Sequence, residues 1–267
     1  MVATFAMSKL KVITWNVNSV RVRHDRLLKL LTRHEPSILC LQELKCVDDQ
    51  FPRDEIRLKG YSIALFGQKT YNGVAILSRD EINGVERSFC DGQEVEDTQA
   101  RLICVQTMGV RVASAYIPNG SEVGKDKWRY KLSWLERLHR WTQAKLQDTS
   151  PFAICGDYNI CPDDLDAKRP KAWAGGAMTH ESIRTKYAEL QALGLTDVVR
   201  RYHPGGGPLT WWDYRRGAFP KDDGLRIDHI LVNESLASCA VSARVDRDER
   251  DGETASDHAP VIAEFEL

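Results

Sequence analysis

Short apolar runs alternate with longer amphipathic segments along nearly all of this 267-residue chain. A short run bounded by turn residues is typical of a buried strand, whereas apolar residues three and four positions apart are typical of a helix that packs by one face. Strands are predicted over residues 11–15, 37–41, 61–66, 73–78, 101–106, 110–116, 152–155, 209–214, 227–232, 240–245 and 260–265. Helices are predicted over residues 24–34, 126–147 and 182–193.

This order of elements constrains the architecture. Few of the strands follow one another in strict β-α-β units, so the pattern favours mixed sheets over one parallel sheet. Two mixed β-sheets packed face to face, with the helices outside, accommodate the order and predict an α/β sandwich. Nothing that resembles a linker or a repeat interrupts residues 9–267, which are predicted to form a single domain. Residues 1–8 are predicted to be a flexible N-terminal extension.

The composition excludes several classes of protein. Hydrophobic residues make up 42% and charged residues 28%, as in ordinary globular domains and unlike disordered or fibrous chains. The seven cysteines form no Cys-x-x-Cys pair, which indicates reduced thiols in a reducing compartment. No apolar run reaches the roughly 18–20 residues that span a bilayer, and no signal peptide is evident. A cytoplasmic protein is expected. The net charge of −1 does not bear on a nucleic-acid partner, so any polyanion site must be local.

Polar side chains lie at one end or the other of successive predicted strands. The segments are Trp15-Asn16, Gln42-Glu43, Tyr116-Ile117-Pro118-Asn119, Gly156-Asp157-Tyr158-Asn159, Asp228-His229 and Ser256-Asp257-His258. One such Asp or Asn is ordinarily a turn former or a cap. Six such positions, four of them with carboxylates, exceed what turns require. Because strand ends from two packed sheets meet at one rim, these side chains are predicted to converge on one cleft.

The grouped carboxylates predict a divalent cation. Carboxylates held together repel one another unless a cation neutralises them. The candidate oxygen ligands are Glu43, Asp157, Asp228 and Asp257, with the amides of Asn16, Asn18 and Asn159. Hard oxygen ligands suit Mg²⁺, with Mn²⁺ as the alternative, and suit zinc poorly. Magnesium held in this way ordinarily works with phosphate substrates, so the cleft predicts phosphoryl chemistry.

One histidine is predicted to join this cleft. His258 follows Asp257, and Asp228 from another strand is available to orient its imidazole ring. His229 falls on the opposite face of an extended segment from Asp228 and is left out.

Seven short strings, in order, resemble the exonuclease III family of abasic-site endonucleases. They are Trp15-Asn16, Leu41-Gln42-Glu43-Leu44-Lys45, Tyr116-Ile117-Pro118-Asn119, Gly156-Asp157-Tyr158-Asn159, Leu209-Thr210-Trp211-Trp212-Asp213-Tyr214-Arg215, Leu225-Arg226-Ile227-Asp228 and Ser256-Asp257-His258-Ala259-Pro260. The resemblance implies a four-layer α/β sandwich and Mg²⁺-dependent hydrolysis of phosphodiesters in duplex DNA. Secreted deoxyribonuclease I, sphingomyelinases and inositol polyphosphate phosphatases share some of these elements, but they usually place a second His where Tyr116 lies.

The resemblance also implies a role for each residue of the cleft. The implied metal ligands are Glu43 as the main carboxylate, Asp257 and Asn18, the last lying where some members have Asp. The implied catalytic residues are Asp157, Asn159, His258, Asp228, Tyr116 and Asn16. Asp157 would activate the attacking water, with Asn159 orienting it, or would instead protonate the leaving group. His258, oriented by Asp228, would stabilise the charge that grows on the phosphate.

DNA contacts are predicted from basic clusters and from an apolar pocket. The clusters are Arg21, Arg23 and Arg26; Lys125, Lys127, Arg129 and Lys131; and Arg215, Arg216 and Lys221. Trp211, Leu225 and Ile227 are predicted to form the pocket for an extruded abasic sugar, and Asn119 to contact substrate. A solvated surface and simple core packing are the alternative explanations for these two sets.

The resemblance predicts a DNA-repair nuclease. It would hydrolyse the phosphodiester 5′ to abasic sites in duplex DNA and have 3′-5′ exonuclease and 3′-phosphatase or phosphodiesterase activity. The expected partner is double-stranded DNA with abasic sites or blocked 3′ ends, without membrane or stable protein partner. A cytoplasmic monomer is expected, associated with the nucleoid in a bacterium. The alternatives are a superfamily phosphoesterase acting on another phosphoester and a catalytically silent DNA-binding homologue.

Overall fold

The computed structural model describes residues 9–90 and 98–267, so the predicted extension over residues 1–8 lies outside the described residues. The strands in the described ranges are β1 Lys9–Asn16, β2 Ile38–Gln42, β3 Ser62–Phe66, β4 Val74–Ser78, β5 Asn83–Arg87, β6 Leu102–Thr107, β7 Val110–Tyr116, β8 Phe152–Asp157, β9 Thr196–Asp197, β10 Asp228–Val232, β11 Ala240–Val245 and β12 Val261–Glu266. The α-helices are α1 His24–His34, α2 Arg53–Leu58, α3 Asp126–Lys145, α4 Pro170–Trp173, α5 Glu181–Ala192, α6 Val198–Tyr202 and α7 Glu234–Ala237.

The strands form two mixed sheets of six. The first sheet has the order β11-β12-β1-β2-β4-β3, and the second has the order β5-β6-β7-β8-β10-β9. β1 with β2 and β7 with β8 are parallel pairs, and each of the other paired strands runs antiparallel. Each sheet therefore contains one parallel pair at its centre.

Successive side chains of a strand point to opposite faces, and in the central strands of both sheets both faces are buried. In β1, Val12 lies in the apolar layer between the sheets, whereas Ile13 packs on the helix side. In β8, Cys155 faces the other sheet and Ile154 faces α3 and α5. Leu27 and Leu30 of α1 cover the first sheet. The order helix, sheet, sheet, helix confirms the predicted four-layer sandwich. The seven cysteines are free thiols, as predicted, and most are buried.

Residues 209–214, predicted to be a strand, are not one. Only Trp211 makes isolated bridges, to Leu225 and to His258. The apolar character that suggested a strand has another cause, because Trp211 and Trp212 are buried in two different clusters. The edge strand β5 was not predicted because its residues are largely exposed and lack an apolar alternation.

No helix within the described ranges combines the length and the hydropathy needed to cross a bilayer.

Candidate active site

The strand register brings the predicted cleft residues to one rim. β7 and β8 run parallel, with Tyr116 opposite Asp157 at their carboxyl ends. β10 runs antiparallel to β8, so Asp228 at its start pairs with the same Asp157. In the other sheet, β1 and β2 end together with Asn16 beside Gln42, and Glu43 follows. Residues that are far apart in the sequence therefore meet where the two sheets open.

His258 lies at the centre of this rim between two carboxylates. Its Nδ1 is 2.9 Å from Asp228 Oδ2, and its Nε2 is 3.7 Å from Asp157 Oδ2. All three side chains are almost completely buried. Burial alone would lower the pKa of His258, but the charges of Asp228, Asp157 and Asp257 outweigh burial and raise it to about 10. The surrounding carboxylates therefore favour the imidazolium form, and Asp228 lies where it can orient the ring.

Asp157 has an environment that favours its protonated form. Burial raises its pKa to about 7; the charge of His258 opposes this shift, and the carboxylates of Asp228 and Glu43 add to it. The Nδ2 group of Asn16 donates to Asp157 Oδ2 and to Glu43 Oε1, both at 2.9 Å. Asn16 thus holds the two carboxylates side by side.

A metal ion has suitable ligands here. Among the His, Cys, Asp and Glu side chains of the described residues, Glu43, Asp157 and His258 offer ligand atoms that all lie within 4.8 Å of one another. Three of the predicted oxygen donors, Glu43, Asn18 and Asp257, are linked through hydrogen bonds rather than directed into separate regions. Clustered hard oxygen donors in a buried, acidic rim fit a cation such as Mg²⁺. The residues present therefore fit the predicted metal.

Lys45 joins the three predicted ligands, and the sequence reasoning gave it no role. Its Nζ lies 2.8 Å from Glu43 Oε2 and 2.5 Å from Asn18 Oδ1, and Asn18 Nδ2 donates to Asp257 Oδ1 at 2.8 Å. Burial would raise the pKa of Glu43, but Lys45 and Asn16 outweigh it and keep that pKa below its ordinary value. The only feature of the sequence that pointed to Lys45 was its position two residues after Glu43, in the string Leu41-Gln42-Glu43-Leu44-Lys45.

The amide side chains of Asn159 and Asn119 form a chain that ends on Asp157. Asn159 Nδ2 donates to Asp157 Oδ2 at 3.2 Å and to the carbonyl of Ile117 at 3.0 Å. Asn119 Nδ2 in turn donates to Asn159 Oδ1 at 2.9 Å. This geometry brings the predicted partner of Asp157 into contact with it.

Tyr116 borders a groove that extends from the cleft. Burial and the charges of Glu43 and Asp157 raise the pKa of its hydroxyl well above the ordinary value, so the hydroxyl remains a neutral donor. The guanidinium of Arg101, which sequence reasoning did not single out, stacks 4.7 Å from the Tyr116 ring. The groove has a volume of about 670 Å³, and its lining includes Tyr71, Asn119 and Lys127.

On another side of the cleft lies the predicted apolar pocket. Trp211 Nε1 donates to Asp257 Oδ2 at 3.0 Å, which connects the indole to the predicted metal ligands. Leu225 and Ile227 are fully buried beneath it, in one cluster with Trp211. Trp173 packs edge-on against Trp211, with ring centroids 5.7 Å apart. The three predicted residues are together and all are buried, with Trp211 the most exposed of them at 8%.

The residues of the predicted basic clusters differ in their exposure and in their contacts. Arg21 and Lys125 are exposed. Arg23 donates to the carbonyls of Asn18 and Ala255 and thereby braces the rim. The prediction that Lys131 belongs to a DNA-binding surface is wrong, because its side chain is fully buried.

A buried ion network below the site was also missed. Arg226 Nε lies 2.5 Å from Asp166 Oδ1, and its Nη1 lies 2.6 Å from Asp197 Oδ2. His229, excluded from the cleft on sequence grounds, does point to this network and contacts Arg226. Nothing in the local sequence distinguished Asp166 or Asp197 from surface acids, because their partners come from distant segments.

Comparison with known proteins identifies the family to which the chain belongs. Residues 13–258 match the Endonuclease/Exonuclease/phosphatase family, and the chain belongs to that family.

Similar proteins show which class of enzyme within this family the chain belongs to. Exodeoxyribonuclease III of Haemophilus influenzae is 33% identical over 268 residues, covering 96% of this chain and 100% of that protein. The 3′-5′ exonuclease NExo from Neisseria meningitidis is 40% identical with a TM-score of 0.93, covering 97% of this chain and 100% of that structure. An AP endonuclease from Archaeoglobus fulgidus is 36% identical with a TM-score of 0.92, with the same coverage. The chain is a DNA-repair nuclease of the exodeoxyribonuclease III type.

Proposed function

We propose that this nuclease hydrolyses the phosphodiester on the 5′ side of abasic sites in duplex DNA, in the base excision repair pathway, with Mg²⁺ as its metal. It also removes nucleotides and phosphate groups from 3′ ends. The observation that carries the proposal is the meeting of Asp157, the His258–Asp228 pair and Glu43 at one rim. This rim lies between the 670 Å³ groove and the apolar cluster of Trp211.

Each side chain has a role that follows from its position. Protonated His258 binds a phosphate oxygen and stabilises the negative charge that grows in the transition state. Its ring is held by Asp228, so Nε2 faces the cleft. Tyr116 provides a neutral donor toward the same phosphate, and Asn16 orients Asp157 and Glu43.

Asp157 moves the proton. With a pKa raised to about 7 by burial, it can serve near neutral pH either as the base that accepts a proton from the attacking water or as the acid that protonates the leaving oxygen. Asn159 orients its carboxylate through the 3.2 Å hydrogen bond. Glu43, Asn18 and Asp257 would hold the metal ion. When bound, Mg²⁺ would act as a Lewis acid on the scissile phosphate.

DNA recognition uses the surfaces beside the cleft. Exposed Arg21 and Lys125 contact backbone phosphates, together with Arg23 and Asn119 from the rim. Trp211, supported by Leu225 and Ile227, contacts the extruded abasic sugar, which costs least to extrude where no base is stacked.

The proposed activities on 3′ ends and on abasic sites are supported by what similar structures are described as. One similar structure is described as NExo, a 3′ phosphatase, bound to a product DNA hairpin, and another is described as an AP endonuclease. We further propose that residues 9–267 work as one domain and a monomer, in the cytoplasm and beside the nucleoid.

A single assay tests the proposal. A duplex with one tetrahydrofuran abasic analogue and a duplex with a 3′-phosphate are incubated with Mg²⁺, with Mn²⁺ or with chelator. Metal-dependent incision 5′ to the analogue is expected, together with release of 3′-phosphate. Binding without cleavage would support a silent homologue, and hydrolysis of unrelated phosphoesters alone would support another branch of the superfamily; either result contradicts the proposal.

A further inference from the structure

Lys131 of α3 is a buried cation that the proposed chemistry does not use. Its side chain has no solvent exposure. Its Nζ donates to three main-chain carbonyls, those of Asn159 and Ala177 at 2.7 Å and that of Asn119 at 3.2 Å. Three acceptors match the three N–H groups of an ammonium ion. None of these three partners is a carboxylate.

Such a site is costly for a cation. Burial lowers the pKa of Lys131 to about 7, and the more distant charge of Asp157 acts in the opposite direction. Removing an ammonium group from water without a carboxylate partner ordinarily costs several kcal/mol. A methionine of similar length would fill the same space without this cost, but it would leave the three carbonyls without their donor. Helix packing alone therefore does not account for a lysine here.

The three carbonyls belong to three separate loops that meet at the cleft. Asn119 follows β7, Asn159 follows β8, and Ala177 precedes α5. Asn159 adopts a left-handed backbone conformation with φ of 49°, which asparagine adopts more readily than other residues with a side chain. The Lys131 bond fixes the carbonyl of Asn159, and the side-chain amide of Asn159 contacts Asp157.

We propose that Lys131 is a positioning residue: its ammonium ties the loops of Asn119 and Asn159 together and thereby fixes the amide of Asn159 against Asp157. The proposal rests on the function assigned to this cleft. Lys131 itself touches no substrate. Its effect passes through the 2.9 Å bond between the two asparagine amides and the 3.2 Å bond to Asp157.

A neighbouring glycine offers an independent way to disturb the same contact. A Cβ atom on Gly120 would lie 2.9 Å from Lys131 Cδ and 3.2 Å from Trp128 Cε3, so Gly120→Ala must displace the lysine side chain. Gly124 has nearly the same backbone conformation, with φ of 85° against 87°, and nothing lies within 4 Å of its Cβ position. Gly124→Ala is therefore a control with equal backbone strain and no clash.

The test compares Lys131→Met and Gly120→Ala with two controls, Gly124→Ala and Lys145→Met. Lys145 lies on the same helix, and its salt bridge to Glu86 is remote from the cleft. A displacement of about 1 Å in a catalytic group can cost about 10²-fold in rate. We expect kcat to fall by about that factor in the first two variants. We expect KM for DNA and Mn²⁺ affinity, measured by calorimetry, to stay within about threefold, and the controls to keep their kcat.

Several outcomes overturn the proposal. The first is that Lys131→Met folds and has a kcat near that of the wild type. The second is that kcat, DNA affinity and Mn²⁺ affinity fall together, which would indicate general damage to the protein. If Lys131→Met does not fold, Gly120→Ala decides, and a kcat equal to that of Gly124→Ala refutes the positioning role. Failure of the wild type to incise abasic DNA would refute the proposed function instead. The variant ratios are then measured on 3′-5′ degradation of undamaged duplex.

Discussion

Replacing Asp228 by Asn tests the electrostatic core of the cleft. The substitution preserves shape but removes the charge that lies 2.9 Å from His258 Nδ1. The pKa of His258 is raised from its ordinary 6.5 to about 10 by the surrounding carboxylates. That difference corresponds to about 5 kcal/mol of preference for the imidazolium form. Because the folded-state value lies above the unfolded one, this stabilisation is complete below pH 6.5 and is lost as pH rises through about 10.

Asp228 is the nearest of the carboxylates that act on the ring, since Asp157 lies at 3.7 Å. Its removal is therefore expected to lower the pKa of His258 from about 10 toward the ordinary value of 6.5. Above the lowered pKa, turnover of Asp228→Asn relative to wild type falls about tenfold for each pH unit, because the neutral ring no longer stabilises phosphate charge.

The assay has two parts. The ring of His258 is titrated by NMR in the metal-free protein, and kcat on an abasic duplex is measured from pH 6.5 to pH 9.5 with saturating Mg²⁺. Asp148→Asn, an exposed carboxylate near the start of β8, serves as the control and should leave both curves unchanged. A ratio of variant to wild-type kcat that stays constant across this range would refute the electrostatic role of Asp228.

Three further predictions follow from the same geometry. Asp157→Asn should lower kcat by about 10³-fold, because the variant cannot transfer the proton. Its contacts to DNA remain, so DNA binding in a gel-shift assay should survive. Near-normal turnover would contradict the role of Asp157. DNA affinity should fall steeply between 50 and 200 mM salt, because exposed basic residues such as Lys125 displace counterions from phosphates, and a flat salt response would exclude such contacts. Arg226→Met should destabilise the fold by about 3 kcal/mol, because it removes the buried cation that pairs with both Asp166 and Asp197, although Arg200 still pairs with Asp166. Calorimetry would record this as a drop in Tm of about 10 °C, against no change for exposed Arg129→Met.

The sequence predicted the strands and helices that carry the cleft because their apolar patterns are local. β1, β2, β8 and α1 lie within a few residues of their predicted ranges. The pattern misled at residues 209–214, where two adjacent tryptophans are buried for reasons of tertiary packing. The pattern did not predict β5, because this strand forms by pairing with β6 and its own residues are largely exposed.

The candidate residues for the chemistry were readable from the chain itself, since carboxylates, amides and one histidine recur at strand ends in short strings typical of a known family. Their alignment was decided only by the fold: the register of β8 with β7 and β10 places Asp157 opposite Tyr116 and Asp228. Tertiary structure also decided whether each ionisable side chain is buried or exposed, and therefore its pKa and charge. Whether a lysine lies in solvent or donates to three buried carbonyls depends on what surrounds it, and Lys131 and Lys125, six positions apart near one end of a helix, differ completely in this respect. Burial and distant neighbours set charge and pKa, and neither is encoded in local sequence.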